Sequence, residues 1–207
     1  MGAFDPLITY EKGTYIETDT GNKVSRKAVV TGAQNIILGG KSVIQTGAIL
    51  RGDLQRAQAG HHVVISMGRY CLVGEGTVIR PPGKMYKGAF TFYPVKISDF
   101  VHIGPNCIVE AAQIGGGVEI GEGSIIFSSV SGSSAKGVMI RGKFVIIKDL
   151  AVIRPGTVIP EATVVPSMSI WEGNPGRIVG TLPETYQDTV EARCKSIYQR
   201  FRAVTST

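Results

Sequence analysis

The chain has 207 residues with 22 Lys and Arg against 16 Asp and Glu, a net charge of +6 and a pI near 9.3. That length fits one domain, or one domain with a decorated end. No run exceeds two adjacent basic residues, so the excess charge is diffuse and lacks the concentrated stripe that nucleic acid asks for.

The opening MGAFDPLITY has no basic segment followed by an apolar one, so no secretory signal is expected. Pro6 stands where a myristoylation site would carry Ser or Thr. Residues 1–23 read as an N-terminal extension. From residue 24 aliphatic residues recur at six-residue intervals: Leu38, Ile44 and Leu50, then Met67, Val73 and Ile79. Ile97, Ile103 and Val109 follow, then Ile114, Ile120 and Ile126 after a step one residue short. The last run is Ile147, Ile153, Ile159, Val165 and Trp171. Small residues sit four positions after the first four of these, at Ala151, Thr157, Thr163 and Ser169.

A helix repeats its apolar positions at three and four, a flat strand at two. A period of six with one large and one small interior site fits a short strand followed by a corner. Three such units close a triangular coil of ~18 residues, and coils must stack to bury their inner faces. Glycine or proline after the aliphatic residue, as at Gly104, Gly115, Gly121, Pro160 and Pro166, suits a turning backbone. Cys71 and Cys107 occupy the small interior site, which marks them as core thiols. With Cys194 far away and no CxxC, neither a zinc finger nor a disulfide framework is expected. This beat resembles that of the hexapeptide-repeat proteins, and the resemblance implies an all-β fold, a left-handed parallel β-helix spanning 24–176.

Three segments break the beat and are expected to loop out: 55–66 with His61 and His62, 83–94, and the Ser/Gly-rich 127–140. The second interleaves Lys84 and Lys87 with Met85, Tyr86, Phe90, Phe92 and Tyr93, a candidate partner contact. At the end, 177–207, the run TLPETYQDTVEARCKSIYQRFRAV reads as one helix. Thr181 and Glu184 suggest its capping box, and Tyr186, Val190, Cys194, Ile197, Tyr198 and Phe201 its apolar stripe. That stripe predicts a helix packed back along the prism. No apolar run reaches the ~18 residues of a membrane span. A soluble cytoplasmic protein with reduced thiols, and no direct membrane insertion, is expected.

The run AILRGDL (48–54) resembles the γ-class carbonic anhydrases, whose catalytic zinc is held by three histidines. Aligning hexads places Arg80, Pro105 and Glu110 at those three positions. Proline cannot ligate and arginine does not deprotonate, so the metal positions are lost and no cofactor is expected. The resemblance also implies that Arg80 and Glu110 face each other on adjacent coils. Hexapeptide acyltransferases use a histidine base, for which His102 or His61 would be the candidates.

Read together, YIETDTGNKVSR (15–26), QNIIL (34–38), RGDL (51–54), VIRPP (78–82), FYP (92–94), AAQIG (111–115) and ATVVP (162–166) resemble the dynactin subunit 5 family. The resemblance implies a non-catalytic subunit of the dynactin pointed-end complex, associated with the cytoskeleton. Its implied partners are dynactin subunit 6, other pointed-end subunits including an actin-related protein, and cargo adaptors of dynein.

Overall fold

The computed structural model of the chain describes residues 9–54, 63–86, 89–127 and 144–204. Short strands succeed each other around a three-faced prism. The first face stacks Lys23–Ser25, Val43–Ile44, Leu72–Val73, His102–Ile103, Glu119–Ile120, Val152–Ile153 and Ser169–Gly173. The second stacks Val29–Thr31, Ile49–Arg51, Val78–Ile79, Ile108–Val109, Ile125–Ile126 and Val158–Ile159. The third stacks Ile36–Gly40, Ile65–Arg69, Val95–Ile97, Ala111–Ile114, Val145–Ile147 and Val164–Val165. Strands within these stacks are parallel, and the fold is a left-handed β-helix of six coils.

The hexad residues form the core. Ile44, Val73, Ile103, Ile120 and Ile153 lie in direct register on the first face. Leu50, Ile79, Val109, Ile126 and Ile159 do so on the second, and Met67, Ile97, Ile114, Ile147 and Val165 on the third. All fifteen are at most 2 % exposed. Burying one such side chain stabilises the fold by ~1.5–3 kcal/mol, so the stack of coils supplies most of the driving force.

The corners differ. Between the first and second faces the chain turns with positive φ at Gly47, Gly76, Asn106, Gly123 and Gly156. Between the third and first faces it turns at Lys41, Tyr70, Phe100, Gly117, Leu150 and Met168, mostly bulky residues. Each lies three residues before an inward core residue, aliphatic in every case but Trp171. The glycines that directly follow an inward residue have a different purpose: a Cβ at Gly104, Gly115 or Gly121 would stand 2.7, 2.5 or 2.4 Å from a backbone nitrogen of the next coil. Close approach of coils, rather than turning, explains them. At the third corner, between the second and third faces, all three interruptions fall.

The first interruption is shorter than expected, because Ile65–Arg69 is already a strand of the third face. The second is not a plain loop: Gly83–Tyr86 and Ala89–Phe92 pair as an antiparallel hairpin. The third lies outside the described residues from 128 to 143.

The C-terminal helix spans Tyr186–Arg200 and starts later than the capping box suggested. Thr181 instead ends the strand Gly176–Thr181, which pairs antiparallel with Ser169–Gly173. The helix runs along the corner of bulky residues. Val190 meets the Gly117 turn, Cys194 lies beneath at the Phe100 carbonyl (3.5 Å), and the Tyr198 hydroxyl donates to the Gly21 carbonyl at 2.7 Å. Tyr186 donates to Glu119, which also pairs with Arg193. Beyond the helix, Arg202–Val204 pairs in parallel with Thr9–Glu11, and Tyr10, Tyr15 and Phe201 cluster with ring centroids 4.7–5.0 Å apart.

Candidate partner-binding site

The residue after each inward aliphatic of the second face points outward. Register therefore lines up Arg51, Arg80 and Glu110, one per coil, in a column. Arg51 donates to Asp53 through Nε and Nη2, both at 2.8 Å, and Thr31 adds a hydroxyl donor at 2.5 Å. The hydrogen bonds from Arg51 hold the Asp53 carboxyl well below the usual carboxylate range. Arg80 directs Nε and Nη2 at a single oxygen of Glu110. That pair is lopsided: the carboxylate side chain is 8 % exposed and the guanidinium side chain 51 %.

The 83–92 hairpin rises beside this column. Met85 stands opposite Phe90, and both remain about half exposed, at 47 % and 46 %. The Phe90 ring lies over Gly83, where a Cβ would come within 2.3 Å of it. Phe92 meets Phe90 edge-on at 5.0 Å and is half-buried. Tyr93 packs on Phe144 at 4.7 Å, with the Lys84 ammonium 4.7 Å from both ring centres. The side chain of Tyr86 lies outside the described residues. Of the candidate contact residues, then, Met85 and Phe90 are about half exposed, while Phe92 and Tyr93 are less so.

Hairpin and second face enclose an open groove of about 580 Å³ lined by Arg51, Leu54, Arg80, Pro81, Gly83, Phe90, Phe92, Ile108, Glu110, Ile125 and Phe127. Pro105 is not part of it, lying instead at the corner between the first and second faces, where its carbonyl accepts from Gly123 N–H at 2.9 Å. This donor set does not fit zinc. The guanidinium has no lone pair to give, and it occupies one oxygen of the Glu110 carboxylate. Among the described residues no group of three or more His, Cys, Asp or Glu side chains could hold a metal.

The other candidate groups lie apart. His102 is half-buried against the helix, beside Cys194 and Ile197. His61 and His62 lie outside the described residues. Burial pushes the Cys71 thiol up to about 12 and the Cys194 thiol to about 11, and raises Cys107 as well. Thiols so rarely ionised are poor nucleophiles.

The sequence reading overlooked the residues one position before each inward residue of the second face: Val29, Ile49, Val78, Ile108, Ile125 and Val158. The signal was present as Val-Ile, Ile-Leu and Ile-Val doublets, but a doublet alone does not say which member faces out.

Comparison with known proteins gives the same two layers, fold and family. A hexapeptide transferase family protein from Anaplasma phagocytophilum superposes with a TM-score of 0.56 at 19 % identity, covering 86 % of this chain and 89 % of that one. A variant of AntD, an N-acyltransferase from Bacillus cereus solved with dTDP and coenzyme A, gives 0.58 at 16 % identity, covering 84 % and 89 %. At such identities the likeness concerns the fold alone. A curated relative from Dictyostelium discoideum, dynactin subunit 5, is 42 % identical over 106 residues, covering 51 % of this chain and 50 % of the relative. The chain thus spans about half the length of the curated relative it matches. The family model for dynactin subunit 5 matches residues 5–207. Covering nearly the whole chain, that match shows the family: the chain belongs to the dynactin subunit 5 family.

Proposed function

We propose that this chain is a non-catalytic subunit of the dynactin pointed-end complex. In this reading it sits beside dynactin subunit 6 and an actin-related protein in the cytoplasm, and helps dynein–dynactin engage cargo adaptors on microtubules. The observation that carries it is the family match over residues 5–207, on a prism where Arg80 and Glu110 neutralise each other instead of presenting zinc ligands. The acyltransferase alternative draws no support from His102, which faces the C-terminal helix rather than an open cleft. Of the 83–94 contact, Met85 and Phe90 are the anchors we assign to a partner.

The test is affinity purification of the tagged chain from its own cells. Co-purification of an actin-related filament and a second β-helix protein is the expected result. A homotrimer without those partners, or one carrying a zinc ion per chain with carbonic anhydrase activity, overturns the reading.

A further inference from the structure

The prism closes one end of its core and leaves the other open. At the C-terminal end Ile159 and Val165, last of their columns, are 0 % exposed and Trp171 8 %. The returning strand Gly176–Thr181 lies against that end: a Cβ on Gly176 would come within 2.8 Å of the Ile159 side chain. At the N-terminal end no described residue closes the core in this way. Val30 precedes Leu50 in its column and is 37 % exposed against 1 %. Leu38 and Val24, which precede Met67 and Ile44, are half-buried. Ile16, opposite Val24, is 46 % exposed.

The backbone is open there as well. The first face ends in Tyr15–Glu17, but Val29–Thr31 and Ile36–Gly40 are the outermost strands of the second and third faces. Val29 donates to the Ala48 carbonyl at 2.8 Å, and Thr31 accepts from Gly52 N–H at 2.8 Å. Alternation along the strand therefore turns the peptide groups of Val30 toward the free edge. Free edges and uncovered aliphatic residues coincide, which is the pattern of a missing coil.

That combination dictates what fits. A helix satisfies its own peptide groups and would leave the edges bare, whereas an extended chain pairs with the edges and covers the core in one step. A second copy cannot do so. Tyr15–Glu17 stands one strand beyond the first face, so two copies meeting end to end touch there first and do not close both edges.

We propose that the N-terminal end of the prism accepts an extended segment of a partner protein. The segment lays one short strand on Val29–Thr31, turns a corner, and lays a second on Ile36–Gly40. Two of its aliphatic residues, about six positions apart, point onto Val30 and Leu38. The run TVIPEATVVP (157–166) shows the form such a segment takes, since it crosses the same two faces in one coil with Ile159 and Val165 inward. The inference deepens the reading of the chain as a subunit of a larger complex and rests on it for the existence of a partner.

The test follows backbone amide exchange by NMR in the purified full chain, with a synthetic TVIPEATVVP peptide as the probe. Without the peptide, the edge-facing amides of Val29–Thr31 and Ile36–Gly40 are expected to exchange freely. With it they slow at least ~10-fold, while a peptide carrying aspartate at both inward positions has no effect. Val30→Asp abolishes the protection, and Ile178→Asp at the opposite end changes nothing. Ile16→Asp, at a more exposed position, weakens the protection and serves if Val30→Asp fails to fold. Edge amides already protected in the isolated chain would mean that a segment of this chain covers them, which overturns the proposal. So does no protection by the peptide, equal protection by its aspartate form, or a self-associated chain, seen by sedimentation, that Val30→Asp dissociates. In dynactin purified from cells, mass-detected exchange at the same strands is expected to be slower than in the isolated chain. If the chain enters dynactin with these edges still exchanging freely, only the end assignment falls. If it does not enter dynactin, the functional reading falls, and the peptide result alone decides the end.

Discussion

Arg80 and Glu110, 30 positions apart in the chain, meet on adjacent coils, and only the carboxylate of the pair is buried. Two consequences follow from that asymmetry. Removing the arginine strands a buried charge, whereas removing the carboxylate leaves a half-solvated guanidinium at little cost. Arg80→Ala is expected to destabilise the protein by ~1–3 kcal/mol, and adding Glu110→Gln to recover part of that loss. Chemical denaturation of the single and double variants measures it. A double variant less stable than Arg80→Ala would show that the carboxylate contributes independently of its partner.

The same pair predicts metal content. Elemental analysis of the purified chain after a chelator wash is expected to give far less than one zinc per chain, and Arg80→His with Glu110→His to leave that unchanged. The Pro105 corner lies outside the groove and cannot complete a three-imidazole set within one chain.

Ala162 and Gly123 share nearly the same left-handed backbone, at φ 61 and 65, and both are exposed. A side chain in that conformation costs ~1 kcal/mol or somewhat more. Ala162→Gly should therefore stabilise, by up to ~1 kcal/mol after the added unfolded-state entropy of glycine, and Gly123→Ala should destabilise by a similar amount. Thermal melts that shift in the same direction for both would contradict this.

Alkaline pH should loosen the fold. Burial raises Cys71 to about 12, Cys194 to about 11 and Tyr186 to about 12. Groups raised in the folded state contribute stability that is complete below their unfolded pKa and lost as pH rises through the folded one. The window thus opens near pH 9 for the thiols, with at most ~1.4 kcal/mol lost per group per pH unit. Lys23 works the other way: burial lowers it, so its cost is relieved as pH climbs toward its ordinary value. Stability measured from pH 8 to 11 should fall, and Cys71→Ala should flatten the slope by about one proton. A slope unchanged in that variant would remove Cys71 from the account.

For the hairpin, Met85→Ser with Phe90→Ser is expected to leave the melting temperature within ~2 °C, since both side chains are half exposed, and to weaken capture of adaptors by the assembled complex. Unchanged capture would strip the hairpin of its contact.

The inward hexad residues were legible because one strong constraint governs them: a wrong residue at Ile103 or Ile147 faces a closed core. Their assignment to three faces follows from counting in sixes. What the hexad could not show was the purpose of residues outside the core. Glycine after an aliphatic residue looks like a turn signal, yet at Gly121 it answers Pro155 of the neighbouring coil, 34 residues downstream, which local pattern cannot display. Bulky residues in left-handed corners, such as Phe100 and Leu150, defy turn chemistry because the helix packed over them compensates. The helix start was misplaced because Thr181 and Glu184 imitate a cap while Thr181 completes a strand pair with Ser169. At the candidate site, the Arg80–Glu110 meeting was legible only through the resemblance to the γ-class carbonic anhydrases, since hexad phase shows that each points outward but not that the two meet. The hairpin was not, since its Met85–Phe90 pairing has no glycine-asparagine turn to announce it.

A stack of coils held only by nearest neighbours tends to fray from its ends, each coil leaving independently. The C-terminal helix changes that statistic. Its 15 residues run from the Gly117 turn on the fifth coil to Gly21 beside the first, touching Phe100 and Tyr70 on the way. Opening any one of those coils must break contacts with a rod shared by the rest. Fraying thereby becomes a collective event, and the prism gains an all-or-none character that its repeat architecture alone would not confer. A molecule of this kind can transmit a load applied at one end without yielding coil by coil.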